Sequence, residues 1–218
     1  MTWYTFFMSV KTILVIIGVL LGAFLIWNIL DRDTGVITNY PPARDVVVSF
    51  GDSLVEGVGA TSGNDFSSIL EDRLGVPIIN RGIRGNTTAD GLARIDDVLR
   101  RDTPGVVILL LGGNDAIRRV SVEETFKNLS TIIEKIHARG AVTLLVGVQG
   151  GILGDKYKGE FRDLRKRYQT AFVPDILDGL IGTPGLMYDG VHPNDEGYRV
   201  IADRLEPVLR ELLLESRE

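Results

Sequence analysis

The sequence of 218 residues contains no cysteine and only two histidines, His137 and His192. The absence of cysteine excludes a disulfide scaffold, a thiol nucleophile, a cysteine-ligated zinc or iron–sulfur site and a lipid-modified cysteine. Positive charge is also scarce, because 24 Lys and Arg residues face 29 Asp and Glu residues, a formal net charge of −5. An acidic chain has no general attraction for nucleic acid, so we expect no nucleic-acid partner.

Charge is nearly missing from the first 30 positions, where Lys11 is the only charged side chain. Residues 13–30 are apolar or uncharged, and as a helix they would span roughly 27 Å, which is close to the hydrocarbon thickness of a bilayer. No Ala-x-Ala-like cleavage site follows them. We predict a transmembrane anchor over residues 1–30, with a cleaved secretory signal and a buried core helix as the alternatives.

The flanks of this segment carry a weak signal for its orientation. Lys11 precedes it and the net acidic 31–33 follows it, which favours an N-terminus on the inner side of the membrane. We therefore predict a single-pass protein with a linker over residues 31–44 and a globular domain over 45–218 on the extracytoplasmic side. If the segment is a signal that is cleaved, the domain is secreted.

From Asp45 onward, short β-branched runs alternate with helical patterns. The runs are continuously apolar, as expected of strands that are buried on both faces of a parallel sheet. The predicted strands are Val46–Phe50, Val76–Asn80, Val106–Leu111, Val142–Val148 and a weaker Ala171–Pro174. Helices are predicted to begin after Thr87 or Thr88, at Ser121 and at Asn194 or Asp195. This alternation predicts an α/β fold, a three-layer α/β/α sandwich with a parallel sheet of about five strands in the flavodoxin-like order 2-1-3-4-5.

Three predicted strands end in loops that are rich in glycine and polar residues. These loops are Gly51–Leu54, Arg81–Thr87 and Gly112–Asp115. Ligands of open α/β sheets bind beyond the carboxyl ends of the strands, and a central first strand would place Ser53 between the other two loops. A serine nucleophile needs a base and donors aimed at the oxyanion. The backbone N–H groups of Ser53 and Gly85 and the side-chain amide of Asn114 can supply three donors.

The choice of base is restricted to two histidines. His137 lies between Lys135 and Arg139 on a predicted helix, and we expect it to be a solvated surface residue. His192 follows Asp189 by three residues in a loop before the last helix. At that spacing the carboxylate can hold Nδ1–H of the imidazole and leave Nε2 facing a serine.

Together these blocks resemble the SGNH (GDSL) hydrolase family. Its four ordered signatures correspond to Gly-Asp-Ser-Leu, the glycine loop, Gly-Gly-Asn-Asp and the Asp-Gly-Val-His-Pro-Asn block, and the resemblance runs from about Val46 to the C-terminus. It implies that Ser53 is the nucleophile, His192 the general base and acid, and Asp189 the residue that orients the histidine. It also implies an oxyanion hole formed by Ser53, Gly85 and Asn114.

Within that family, Gly-Leu-Ala-Arg at Gly91–Arg94 is similar to the bacterial thioesterase I, lysophospholipase L1 and arylesterase group. The resemblance implies a serine esterase that hydrolyses lysophospholipids or other small acyl esters or thioesters, with no metal and no cofactor. A glycine-rich stretch, Gln149–Gly154, departs from the pattern and is a candidate substrate loop. The alternatives are a carbohydrate O-acetylesterase acting on envelope polysaccharide, an acyltransferase and a non-catalytic scaffold; the complete set of Ser53, Asp189 and His192 argues against the scaffold.

Three charged residues near these motifs have simpler interpretations. Asp52 is expected to hold the nucleophile loop by hydrogen bonds. Arg118 and Arg119 can meet a phosphate group of a substrate, but we expect them to be solvated charges at a helix start.

Overall fold

The structure, a computed structural model, describes residues 35–148 and 154–214. Within those ranges, none of the helices has the length and hydropathy of a membrane span. The predicted anchor over residues 1–30 and most of the glycine-rich stretch, residues 149–153, lie outside the described residues.

The described chain contains five strands and seven helices. In order, they are β1 (Val47–Gly51), α1 (Ser53–Glu56), α2 (Phe66–Leu74), β2 (Ile78–Gly82), α3 (Thr88–Asp102), β3 (Val106–Leu110), α4 (Gly113–Ile117), α5 (Val122–Ala138), β4 (Val142–Val146), α6 (Gly154–Tyr168), β5 (Ala171–Val173) and α7 (Asp195–Leu214). This alternation of strand and helix is the predicted α/β pattern.

All five strands are parallel and lie in the order β2-β1-β3-β4-β5. The predicted order 2-1-3-4-5 is thereby confirmed, and β1 is flanked by β2 and β3. The register pairs Gly51 at the end of β1 with Gly82 of β2 and with Leu110 of β3. The carboxyl ends of these three strands therefore lie side by side, and so do the loops that follow them.

The sheet is covered on both faces, because successive side chains of each strand point to opposite sides. Val106, Ile108 and Leu110 of β3 pack into a core with α2 and α7. Val107 and Leu109 belong to a second core with α3, α5 and α6. Each of these side chains is fully buried, and such burial contributes roughly 1.5–3 kcal/mol per residue to the free energy of unfolding.

The second strand begins later than the sequence pattern predicts. It runs from Ile78 to Gly82, not from Val76 to Asn80. Pro77 has no N–H for the ladder, and the N–H of Ile78 donates to the carboxylate of Glu71 at 2.7 Å. At the other end, pairing with β1 continues as far as Gly82.

Two helices, α2 and α6, are absent from the elements that the sequence predicts. In α6 the signal is a stripe of Tyr157, Phe161 and Leu164, at spacings of four and three residues, and all three side chains are buried. The charged residues that surround the stripe obscure it in the sequence. In α2 the Asp65 side chain accepts from the N–H groups of Ser67 and Ser68, which is the N-cap signature.

A compact unit begins at Ile37, within the predicted linker. The N–H of Thr38 donates to Gln169 O at 2.9 Å, and the amide of Asn39 donates to the carbonyl oxygens of His137 and Ala141 at 2.9 and 3.0 Å. Residues 37–39 are thus bonded to the end of the domain that lies opposite the carboxyl ends of the strands.

Candidate active site

Ser53 is the first residue of α1, a single turn that starts directly after β1. The Asp52 side chain accepts a hydrogen bond from the N–H of Leu54 at 3.0 Å and so caps this turn. Two glycines permit the tight packing around it. A Cβ atom on Gly51 would lie 2.2 Å from Leu110 O, and one on Gly82 would lie 2.0 Å from Glu56 N. Glycine at these positions therefore lets the turn sit directly on the ends of the three strands.

Ser53, His192 and Asp189 lie in one hydrogen-bonded line. The distance from His192 Nε2 to Ser53 Oγ is 3.0 Å, and the distance from His192 Nδ1 to Asp189 Oδ2 is 2.8 Å. The other oxygen of Asp189 accepts from the N–H groups of Val191 and His192, both at 2.8 Å. Hydrogen bonds from the His192 ring and from the backbone of Val191 lower the pKa of Asp189 to about 2, so its carboxylate is ionised at neutral pH.

The loop that carries His192 is closed mainly by bonds between near neighbours. The N–H of Tyr188 donates to His192 O at 2.8 Å, and the N–H of Asn194 donates to Leu186 O at 3.0 Å. The side chain of Asn194 then accepts from the N–H of Gly197 at 3.1 Å, at the start of α7. The imidazole of His192 thus lies just before the start of the last helix, as the sequence predicts.

The amide of Asn114 lies between the nucleophile loop and the glycine loop. Its Nδ2 donates to Asp52 Oδ2 at 3.2 Å and to the backbone oxygen of Asn86 at 3.0 Å. Both amide hydrogens are engaged, so donation to an oxyanion requires that the longer bond, to Asp52, be shared or exchanged. Ser53, Asn114 and His192 line the same cavity.

Gly85, the third predicted donor, is not among the residues that line that cavity, although the next residue, Asn86, accepts a hydrogen bond from Asn114. The φ angle of Gly85, +76°, lies in the left-handed region that favours glycine. Its carbonyl oxygen accepts from Arg118 Nη2 at 2.8 Å, so Arg118 holds the glycine loop in place although it is exposed. Arg118 is exposed, as expected of a solvated charge, and the turn after α4 also brings its guanidinium to the glycine loop.

Asp52 and Asp115 are buried carboxylates behind these loops. Burial raises the pKa of Asp52 to about 6, against the lowering effect of its hydrogen bond from Leu54. Asp115 accepts from Thr88 N at 2.8 Å and from Thr88 Oγ1 at 2.5 Å. The aspartate of Gly-Gly-Asn-Asp therefore ties this loop to the start of α3, a contact that spacing along the sequence did not reveal.

The cavity beside Ser53 has a volume of about 110 Å³ and mainly apolar walls. Its apolar lining residues are Leu54, Ile117, Val148, Leu177, Ile181 and Val191. Its polar side chains belong to Asp52, Ser53, Asn114 and His192, which lie together because Asn114 is bonded to Asp52 and His192 to Ser53. The arrangement places a nucleophile at the polar end of an apolar recess. In the described part of the chain, no three His, Asp or Glu side chains are grouped as metal ligands would be.

His137 is not brought to this site and is not a solvated surface residue. It is half-buried at the end of α5, with its ring edge-on to Tyr168 at 6.5 Å, and its Nε2 has no hydrogen-bond partner. Burial lowers its pKa. The prediction of a surface position was wrong because Asn39 and Tyr168, which are distant in sequence, pack at the end of the helix.

A parallel α/β/α sheet with a serine, a histidine and an aspartate aligned at its carboxyl edge is the arrangement of an α/β serine hydrolase. Residues 49–200 match the GDSL-like lipase/acylhydrolase family. The chain belongs to this family and is an ester hydrolase, which confirms the resemblance seen in the sequence motifs.

Three proteins that are similar in sequence to this chain are named as an esterase, a thioesterase and an arylesterase. Esterase TesA of Pseudomonas aeruginosa is 29% identical over 189 residues, which cover 82% of this chain and 94% of that protein. Thioesterase 1/protease 1/lysophospholipase L1 of Escherichia coli K12 is 27% identical over 186 residues, covering 82% and 89%. Arylesterase of Vibrio mimicus is 32% identical over 172 residues, covering 74% and 86%.

The fold is also that of a solved relative. The crystal structure of TesA superimposes with a TM-score of 0.73 at 30% sequence identity, covering 77% of this chain and 99% of that one. The three-layer sandwich and its strand order are therefore those of SGNH hydrolases.

Proposed function

We propose that the protein is a serine esterase that cleaves acyl esters or thioesters, including lysophospholipids, through an acyl-enzyme formed on Ser53. The observation that carries this proposal is the line from Ser53 Oγ through the His192 ring to Asp189, with distances of 3.0 and 2.8 Å, at the polar end of an apolar cavity. A hydroxyl in contact with an imidazole that an ionised carboxylate orients is the arrangement that nucleophilic catalysis requires.

In the first half of the reaction, His192 Nε2 takes the proton of Ser53 as Oγ attacks the acyl carbonyl. The carbonyl carbon becomes tetrahedral, and its oxygen receives hydrogen bonds from the N–H groups of Ser53 and Gly85 and from the amide of Asn114. The C–O or C–S bond to the leaving group then breaks, and His192 returns the proton to the departing oxygen or sulfur. Ser53 is left as an acyl ester.

In the second half, a water molecule gives a proton to His192 and attacks the acyl-enzyme. The tetrahedral intermediate collapses, the fatty or other carboxylic acid leaves, and the proton returns to Ser53 Oγ. Asp189 stabilises the imidazolium in both halves and holds the tautomer that presents Nε2 to the serine. The apolar walls favour an acyl chain over a sugar in the cavity.

A series of p-nitrophenyl esters from acetyl to palmitoyl, hydrolysed by the full chain in detergent, tests this proposal. Ser53→Ala is the inactive variant, and Ser62→Ala, at an exposed loop serine, is its matched control. Activity that depends on Ser53 and rises through medium and long chains supports the lipid or thioester assignment. Activity confined to acetyl indicates an O-acetylesterase instead, and hydrolysis that persists in Ser53→Ala contradicts the mechanism.

The place of the enzyme in the cell is a separate proposal. We propose that residues 1–30 anchor the chain in a membrane and that the hydrolase domain lies on the extracytoplasmic side. The uncharged sequence of residues 12–30 and the charges that flank it support this. Carbonate extraction of membranes tests it, because full-length chain in the soluble fraction contradicts an anchor.

A further inference from the structure

Arg94 of α3 lies behind the catalytic loops and binds three separate segments of the chain. Its Nη2 donates to Gly51 O at 2.7 Å, its Nη1 to Arg81 O at 3.0 Å and its Nε to Asn86 Oδ1 at 2.8 Å. Gly51 ends β1, Arg81 is in β2, and Asn86 is in the glycine loop. One side chain therefore joins the base of the nucleophile loop to both ends of the segment that contains Gly85.

The chemistry of this position requires arginine. The guanidinium carbon lies 4.0 Å from the centre of the Phe50 ring, so the flat group stacks on an aromatic face while its edge donates in three directions. Burial lowers the pKa of Arg94 to about 10, which leaves the group charged at neutral pH. Lysine would keep the charge but has neither the planar fork nor the reach to all three acceptors.

Asn86 connects this guanidinium to the reaction centre. Its side chain accepts from Arg94, and its backbone oxygen accepts from Asn114 Nδ2 at 3.0 Å. The bond from Asn114 to Asn86 is the shorter of the two that the amide makes, and it is the one that remains when the bond to Asp52 is given up to an oxyanion. The position of Asn86 therefore sets the direction of the other Asn114 amide hydrogen, the one that would donate to the oxyanion.

We propose that Arg94 is a positioning residue that aims the Asn114 amide at the oxyanion by fixing Asn86. The inference rests on the proposed function, because it assigns Asn114 to the oxyanion hole. Such a role matters because the rate depends strongly on the distance between donor and oxyanion. A donor acts at about 2.7–3.1 Å from the developing charge, and a displacement of about 1 Å can lower the rate about 10²-fold.

A double-mutant cycle between Arg94→Lys and Asn114→Ala measures this coupling. We expect Arg94→Lys to lower kcat by about 10- to 100-fold with KM changed by less than about threefold, because transition-state stabilisation is lost and ground-state binding is retained. In the Asn114→Ala background the same change is expected to lower kcat by less than about threefold. An equal loss in both backgrounds would show that Arg94 acts on the fold and not through Asn114.

The control is Arg73→Lys, which changes an exposed arginine that joins α2 to α7 through Asp203 and Glu206, none of which lines the cavity. It is expected to leave kcat within about twofold in both backgrounds. Asn86→Ala removes only the acceptor for Arg94 Nε and serves if Arg94→Lys does not fold. It is expected to lower kcat by about tenfold and to be coupled to Asn114→Ala in the same way, and additive losses would again overturn the proposal.

A second readout does not depend on turnover. This readout is the pair of side-chain NH2 resonances of Asn114 in the NMR spectrum, assigned by their loss in Asn114→Ala. They are expected to shift or broaden in Arg94→Lys and to stay in place in Arg73→Lys. Unchanged signals in Arg94→Lys would overturn the positioning role. If the resonances shift in Arg94→Lys but Ser53→Ala retains turnover, the proposed function is refuted. The connection between Arg94 and Asn114 then still holds.

Discussion

The two halves of the candidate active site are built in different ways. The half that carries Ser53 and Asn114 is backed by buried charged groups, and its hydrogen bonds join residues far apart in sequence, such as Asp52 and Asn114. In the half that carries His192, the Asp189 side chain is 44% exposed, and among the described residues its hydrogen bonds are to Val191 and His192, two and three positions away. The first, which we call the buried half, depends on the tertiary structure. The second, the exposed half, is determined largely by its own loop.

This difference separates two ways of losing activity. A change in the exposed half removes a chemical group and leaves the packing of the sheet intact. A substitution of a residue that supports the buried half displaces the catalytic groups in front of it. It also alters the free energy of unfolding, because buried charges carry desolvation costs. Variants of the exposed half should therefore change the kinetics alone, whereas variants behind the buried half should change both the kinetics and the free energy of unfolding.

The largest effect is expected from His192→Ala, in the exposed half. Loss of the base is expected to lower kcat by on the order of 10⁵–10⁶, as removal of one member of a cooperating triad does. The midpoint of thermal unfolding should move by only about 2 °C or less, because the loop is held by local bonds. Kinetics with p-nitrophenyl butyrate and thermal unfolding of the same samples check both. A loss of less than 100-fold would remove His192 from the role of base.

A smaller effect is expected from Asn114→Ala, in the buried half. Removing one oxyanion donor lowers kcat by about 10²–10³ and changes KM little. Steady-state kinetics against Asn64→Ala, which deletes an exposed amide bonded to Thr61, isolates the effect. A kcat near that of the wild type would mean that Asn114 serves only as a link between Asp52 and Asn86.

Asp52→Asn should affect activity and stability in opposite directions. The substitution places an amide donor opposite either Leu54 N or Asn114 Nδ2, so kcat is expected to fall by about tenfold. The folded pKa of Asp52, about 6, is above its ordinary value of 3.8, so the folded state binds the proton more tightly and the contribution to stability is lost as pH rises through that interval.

The variant lacks this penalty. Its stability relative to the wild type is expected to increase from pH 4 to pH 7 by on the order of 3 kcal/mol, which is the shift of about two pKa units expressed as free energy. Urea unfolding of both proteins at the two pH values measures the difference. A difference that does not change with pH would show that the Asp52 carboxyl titrates normally in the folded chain.

The comparison also explains what the sequence could and could not predict. The positions of β1, β3 and β4, to within two residues, follow from continuous apolar runs, which are typical of strands buried on both faces of a parallel sheet. The pairing of Asp189 with His192 followed from a separation of three residues. These features are local, so a single sequence is enough to recognise them.

The support of the buried half was not predictable in this way. Arg94 and Gly51 are 43 residues apart, and nothing in the spacing of Gly-Leu-Ala-Arg indicates which carbonyl its guanidinium will reach. The contact exists because β1 pairs with β2, which brings the ends of these two strands to one side chain. Such contacts depend on the assembled sheet, and the burial of His137 depends on tertiary packing in the same way.

The smallest effect is expected at His137, which lies outside both halves of the site. Its buried Nε2 has no partner, so His137→Phe is expected to raise the free energy of unfolding by about 1 kcal/mol. Burial lowers the pKa of this histidine below its ordinary 6.5, so the unfolded chain binds the proton more tightly and wild-type stability falls as pH drops through that value. The gain should therefore be larger at pH 5.5 than at pH 8, opposite in direction to Asp52→Asn. Unfolding at both pH values measures it, and kcat unchanged within about twofold would separate this end of the sheet from the catalytic one.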